Sequence, residues 1–188
     1  MSAVFTPTRY KLSVEDYHKL GTAGVLTEDS RVELIEGELI EMAPIGPKHA
    51  SVVDTLAGLL APQAGNQFRL STQNPVTLMP SSEPQPDLML LKPRADRYAS
   101  SLPGAADVLV VIEVSDKTLE YDRGLKLSLY AQHGIPEYWI VDVQAKYIEV
   151  FRDPGPKGYI RRLEFGLTDV VFPQALPGVR LSVGEIFG

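Results

Sequence analysis

Val108-Leu109-Val110-Val111-Ile112-Glu113 is the stretch on which the fold turns. Five consecutive aliphatic residues without polar alternation describe a strand covered on both faces, since a strand with one wet face alternates apolar and polar side chains. A helix is predicted from about Leu119 to His133, closed by Gly134 with Pro136 just beyond, because glycine ends a helix at little conformational cost and proline cannot continue one. Tyr138-Trp139-Ile140-Val141-Asp142 then reads as a second buried strand. Strand, helix, strand, with both strands buried, points to an α/β protein with helices against a mixed sheet.

Working outward, Ser13 with Asp16 three positions on opens a short helix over 13–20 that ends at Gly21, the serine and the first-turn acid serving the exposed N–H groups. Arg31–Met42 carries two apolar/acidic runs around Glu36-Gly37, an N-terminal β-hairpin. From His49 to about Gly65, Val52, Val53, Leu56, Leu59 and Leu60 recur at helical spacing. A strand-like stretch at Phe68–Leu78 is interrupted by Pro75, Pro80–Pro86 is a surface loop, and Asp87-Leu88-Met89-Leu90-Leu91 is a short apolar run. Downstream, Tyr147–Phe151, the Pro154-Gly155 turn, Tyr159–Phe165 and Val170–Phe172 form a C-terminal strand meander. With no internal repeat, residues 1–188 are expected to form a single domain.

The composition narrows the chemistry. The chain has 188 residues, a formal net charge of -6 and no cysteine, which excludes disulfides, thiol nucleophiles and thiolate zinc sites. No apolar run approaches the ~18–20 residues of a membrane span, and Met1–Pro7 has no basic stretch leading into an apolar one. No membrane association and a cytoplasmic location are therefore expected. The acidic balance argues against a non-specific nucleic-acid coat but leaves room for a local basic groove. Lys48, Arg69, Lys92, Arg94, Arg97, Lys117, Arg123 and Lys126 are the cations available for one, with Lys92–Arg97 expected beside the site.

What remains for catalysis is acids and lysines at strand ends. Asp87 opens one apolar strand and Glu113 ends the central one. If the two strands are neighbours, the carboxylates meet at the sheet rim, where they repel unless a cation neutralises them. Mg²⁺ suits such a place, because it takes oxygen ligands and is commonly held by one or two carboxylates with water. Strand parity puts Glu113, Ser115 and Lys117 on one face, while Val114 points away and offers its backbone carbonyl. On the following helix, Asp122, Lys126, Leu129, Tyr130 and His133 share one inward sector. A lysine there must reach an acid or snorkel out to water.

These residues carry a resemblance. Glu33-Leu34-Ile35-Glu36-Gly37-Glu38, His49, Pro86-Asp87, Glu113-Val114-Ser115, Asp122 to Lys126 with Tyr130, and Gly134-Ile135-Pro136-Glu137-Tyr138-Trp139-Ile140-Val141-Asp142 resemble the Uma-type endonucleases. That family is restriction-endonuclease-like and belongs to the PD-(D/E)XK nuclease superfamily. The resemblance covers most of the chain, and its last string is the most specific, whereas Pro-Asp alone is common. It implies a central mixed sheet flanked by helices and a Mg²⁺- or Mn²⁺-dependent endodeoxyribonuclease that hydrolyses DNA phosphodiester bonds. Asp87, Glu113 and the Val114 carbonyl would hold the metal, with Glu33 or His49 completing the site. His49, at a helix start, is alternatively a phosphate donor. The superfamily's lysine two residues after the glutamate is replaced by Ser115, so Lys126 is taken as its substitute, with Lys117 the runner-up. A homodimer is expected by analogy with sheet-edge nucleases that cut two strands.

Each residue also has a plain structural reading. Glu113 and Lys126 make sense as a buried ion pair, Asp122 and Lys126 as an i,i+4 pair, and Glu33 as one acid on a solvated hairpin face. The loss of the strand lysine and the acidic charge accordingly support an alternative, a non-catalytic nucleic-acid- or protein-binding module on a degenerate nuclease scaffold. A third reading is a small-molecule phosphohydrolase using the same carboxylates.

Overall fold

The strand singled out first lies inside a six-stranded sheet of order β3-β4-β5-β6-β7-β8. The structure, a computed structural model, describes residues 8–188; the leader reading of Met1–Pro7 lies outside the described residues. β3 is Arg69–Thr72, β4 Leu88–Leu91, β5 Val108–Ser115, β6 Glu137–Asp142, β7 Tyr147–Gly155 and β8 Gly158–Phe165. β5 and β6 pair in parallel and all other neighbours in the sheet are antiparallel. The sheet is therefore mixed, as expected, with its one parallel pair where the sequence reads strand, helix, strand.

The chain divides into two compact units. The described residues up to Met42, with Thr77–Pro84, form the first; Ala43–Val76 and Gln85–Gly188 form the second and contain the whole six-stranded sheet. In the first unit, helix α1 (Val14–Thr22) is opened by a capping box in which Ser13 Oγ accepts from the Asp16 N–H while Asp16 accepts from the Ser13 N–H. Strands β1 (Val32–Ile35) and β2 (Glu38–Glu41) form the predicted hairpin. Glu36 and Gly37 both have positive φ, 48° and 79°, the conformation a tight two-residue hairpin demands. Ser13→Ala removes one side of the cap and is expected to cost about 1 kcal/mol, visible as faster amide exchange over α1.

In the second unit, helix α2 (Pro47–Leu60) lays Val52, Val53, Leu56 and Leu60 against Leu88, Leu90, Val110, Ile112, Val114, Trp139 and Val141. These are alternate residues of β4, β5 and β6, so they belong to one face. The other face of β5 is taken by the segment from α3 (Leu119–Tyr121) through a π-helical turn (Asp122–Lys126) to α4 (Leu127–Gln132). Both faces of β5 are covered, which is why its sequence shows no alternation.

Several expected boundaries change. The Phe68–Leu78 strand is only β3: Gln73 still donates its N–H to the Asp87 carbonyl in register, but its φ of 51° turns the chain out of the sheet there. The helix over 119–133 is interrupted by the π turn. The meander holds for β7 and β8, with its turn at Pro156-Lys157 because Pro154 and Gly155 still belong to β7, but β9 (Val170–Val171) pairs with β10 (Leu181–Ser182) in a separate ribbon ahead of α5 (Val183–Phe187).

Candidate active site

The register of β4 on β5 builds the site. Leu88 faces Ile112, so one step further out Asp87 comes level with Glu113 at the open end of both strands. The Asp87 N–H donates to Glu113 Oε2 (3.3 Å), and the Val114 N–H donates to Asp87 Oδ2 (2.9 Å). The C=O of a strand residue points to the same side as its N–H, so the Val114 carbonyl also faces the Asp87 edge. Two acids and one carbonyl predicted from sequence are thus brought to one rim.

Around them the second unit supplies donors. Glu113 is buried and its Oε1 accepts from Lys126 Nζ (2.9 Å) and from the Tyr130 hydroxyl (2.8 Å). The π turn explains how both reach it. On an α-helix, residues four apart drift by about 40°, and the wider turn over Asp122–Lys126 takes that drift back, keeping Asp122, Lys126 and Tyr130 on one line. Lys126 points at an acid, as its inward sector required. Lys117 does not: β5 ends at Ser115, the chain bends, and Lys117 is exposed.

His49, near the start of α2, places Nε2 2.9 Å from Asp87 Oδ2. That bond raises the imidazole above its ordinary range, with burial working against it and the charges of Asp87, Asp116 and Asp122 adding to it. His49 is therefore directed at the carboxylate, which puts its proton on Nε2. Its Nδ1 is buried and has no hydrogen-bond partner among the described residues.

Ser115, where the superfamily has lysine, donates to Asp122 Oδ2 (2.6 Å), and Thr118 donates to the same oxygen (2.6 Å). Asp122 also lies in the field of Lys126 four residues on, so the i,i+4 reading stands beside the hydroxyls on Asp122 and the contact of Lys126 with Glu113. Burial pushes the Asp122 carboxyl up, against the opposing pull of Lys126 and the two hydroxyls. A carboxyl raised by folding contributes stability below its unfolded value and loses it as the pH climbs through the folded one. Asp122→Asn keeps an oxygen for both hydroxyls. As the pH climbs from the ordinary aspartate range of about 4, denaturation midpoints are expected to move in favour of the variant relative to the native chain.

Other expectations fall elsewhere. Glu33 belongs to the first unit, in β1 opposite Ile40, and is buried at 4% exposure, so the solvated-face reading of that residue is corrected. Lys92–Arg97 does not lie beside the site: Leu91 pairs with Val108 at the opposite end of β4 and β5 from Asp87 and Glu113. Arg94 there binds Asp96 and the carbonyl of Ser101. The Tyr130 hydroxyl on Glu113 and Thr118 on Asp122 were not assigned from sequence. Tyr130 was legible as a member of the Lys126 sector, whereas Thr118 precedes the helix and gives no periodic signal.

Among the described residues no three His, Cys, Asp or Glu side chains form a group that would hold a metal by themselves. No helix of the described chain is long and apolar enough to cross a membrane. No curated protein matches the sequence. A solved structure of a "putative nuclease" belonging to DUF820, from Anabaena variabilis, matches with a TM-score of 0.70 and 19% identity, over 94% of this chain and 97% of that one; at that identity the likeness is one of fold. The profile of the Uma2 family, described as "Putative restriction endonuclease", matches residues 14–184 and supports a nuclease-like function. On that match the chain belongs to the Uma2 family.

Proposed function

We propose that this chain is a divalent-metal-dependent endonuclease acting on DNA, with Asp87, Glu113 and the Val114 carbonyl as the metal-binding set. The observation that carries the reading is the meeting of Asp87 and Glu113 on adjacent strand ends with Lys126 Nζ 2.9 Å from Glu113. The donor set fits the group: it is all oxygen, and two carboxylates with water are what Mg²⁺ usually receives. Bound there, the ion supplies a Lewis acid for a phosphoryl oxygen and a more acidic water.

The chain's own residues do the rest. Tyr130 and Lys126 fix the Glu113 carboxylate from one side, and His49 and the Val114 N–H fix Asp87 from the other. Lys126, buried to 6% exposure, keeps a positive charge where negative charge accumulates on a phosphate under attack, and such preorganised charge needs no reorganisation.

The experiment is calorimetric titration of Mg²⁺ and Mn²⁺ into the purified protein, followed by incubation of the same samples with supercoiled plasmid. Binding with nicking that chelation stops is the expected result. A folded protein that takes up neither ion, even with DNA present, overturns it. A second reading, the non-catalytic module, is supported by Ser115 being committed to Asp122 and by Glu113 already facing an ammonium. Metal-independent DNA binding without nicking selects it.

A further inference from the structure

The six-stranded sheet ends on β8, eight residues long and exposed from Ile160 to Glu164. A long exposed edge offers unpaired N–H and C=O groups to another strand, and proteins normally blunt it with charge or proline. Which groups it offers follows from Pro154, which faces Tyr159. Proline has no N–H, so that pair is one whose backbone groups point away from each other. By alternation the pairs Arg152↔Arg161, Val150↔Leu163 and Ile148↔Phe165 are of the same kind. Tyr159, Arg161, Leu163 and Phe165 therefore turn their backbone groups to the open edge.

We infer that β8 pairs antiparallel with β8 of a second copy of this chain, with Leu163 on the two-fold axis, making one continuous sheet. Registers centred on Arg161, Arg162 or Glu164, which use the same outward groups, would put that charged residue opposite its own copy. Centring on Leu163 instead sets Arg162 opposite the second copy's Glu164, twice, and Arg161 opposite Phe165. Opposite charges directly across a ladder stabilise it and like charges destabilise it. Within one strand Arg162 and Glu164 already contact each other at 2.7 Å, so the two copies complete an alternating square of four charges. The charges that would protect this edge from foreign strands are complementary to themselves. The inference goes beyond the nuclease reading and does not rest on it.

The chain has no cysteine, which permits a direct test in the full-length protein. Leu163→Cys places two sulfurs on the axis, across a pair with Cα atoms about 5.5 Å apart, inside the disulfide range. Ile160→Cys is the control: Ile160 is 78% exposed against 37% for Leu163, yet in this register the two Ile160 positions are separated by roughly 20 Å along the strands. Under mild oxidation Leu163→Cys is expected to link into a covalent dimer and Ile160→Cys to stay unlinked. Light scattering should give a native dimer that Glu164→Lys, which sets a lysine against Arg162, weakens at least tenfold. A native monomer overturns the inference, as does linking through Ile160 in preference to Leu163. A native dimer indifferent to Glu164→Lys overturns it too, since the copies then meet elsewhere.

Discussion

Glu113→Gln is expected to abolish metal binding and cleavage together, whereas Lys126→Met is expected to lower cleavage by about 10²–10³-fold, the usual effect of removing one preorganised donor, and to leave metal binding in place. The two residues touch, Nζ to Oε1 at 2.9 Å, both buried, so an ordinary ion pair predicts that they fail alike. They are separated by what each gives the reaction: the carboxylate is a ligand, the ammonium a fixed charge. Glutamine keeps an oxygen for Tyr130 and Lys126, so that fold is preserved while the ligand charge is lost. Methionine keeps the length and apolar stem of the lysine and removes one positive charge from beside the carboxylates. The readout that tells the readings apart is thermal. A ligand at about 100 times its Kd stabilises the folded state by about 2.7 kcal/mol, so Mn²⁺ should raise the melting temperature of the native chain and of Lys126→Met but not of Glu113→Gln. If Mn²⁺ protects none of the three, the pair is only structural. Lys117→Ala, altering an exposed residue outside β5, should leave both metal protection and cleavage as they are.

Part of the physical basis of that prediction is legible in the sequence. Asp87 and Glu113 could be placed together because strand ends and apolar runs are encoded locally, and one assumption of adjacency, met by the Leu88↔Ile112 register, did the rest. The inward direction of Lys126 follows from helical periodicity, and its choice as the site lysine from the resemblance together with Ser115. What local pattern cannot carry is direction at distance. The sequence leaves His49 open between a phosphate and the metal site, and only the packing of α2 on the sheet turns its Nε2 toward Asp87. Lys92–Arg97 is close to Asp87 in sequence but a strand's length away in space, since β4 lies between them. Glu33 looked solvated because its hairpin alternates acids, and tertiary burial overrides alternation. The π turn is likewise invisible in composition, although it keeps Asp122, Lys126 and Tyr130 on one line.

Glu137→Ala should be the most destabilising substitution among the polar residues of the second unit, at about 3–5 kcal/mol, the cost of leaving a buried charge without its counter-ion. Glu137 is 2% exposed. Its Oε1 accepts from Trp139 Nε1 (2.7 Å) and from the Arg152 guanidinium (2.9 Å), and its Oε2 accepts from the Gln174 N–H (2.7 Å). Arg152 also donates to the Phe172 carbonyl (2.7 Å), and its Nε is buried without a partner among the described residues. Removing the carboxylate strands a guanidinium, an indole N–H and a backbone N–H at once, and frees the 172–174 segment from the sheet. At about 2–4 °C per kcal/mol for a chain of this size, the melting temperature should fall by about 6–20 °C. Glu137→Ala combined with Arg152→Met should be less damaging than Glu137→Ala alone, because the double change also removes the stranded charge. The opposite order would mean that Arg152 finds another anion and that the pair is not what ties the segment down. Glu137 opens the string Glu137-Tyr138-Trp139-Ile140-Val141-Asp142, every residue of which is buried. The conservative change Glu137→Gln, which keeps the acceptors, should cost less and should leave Mn²⁺ protection unchanged, since Glu137 serves the sheet and the C-terminal segment while the metal-binding proposal rests on Asp87, Glu113 and Val114.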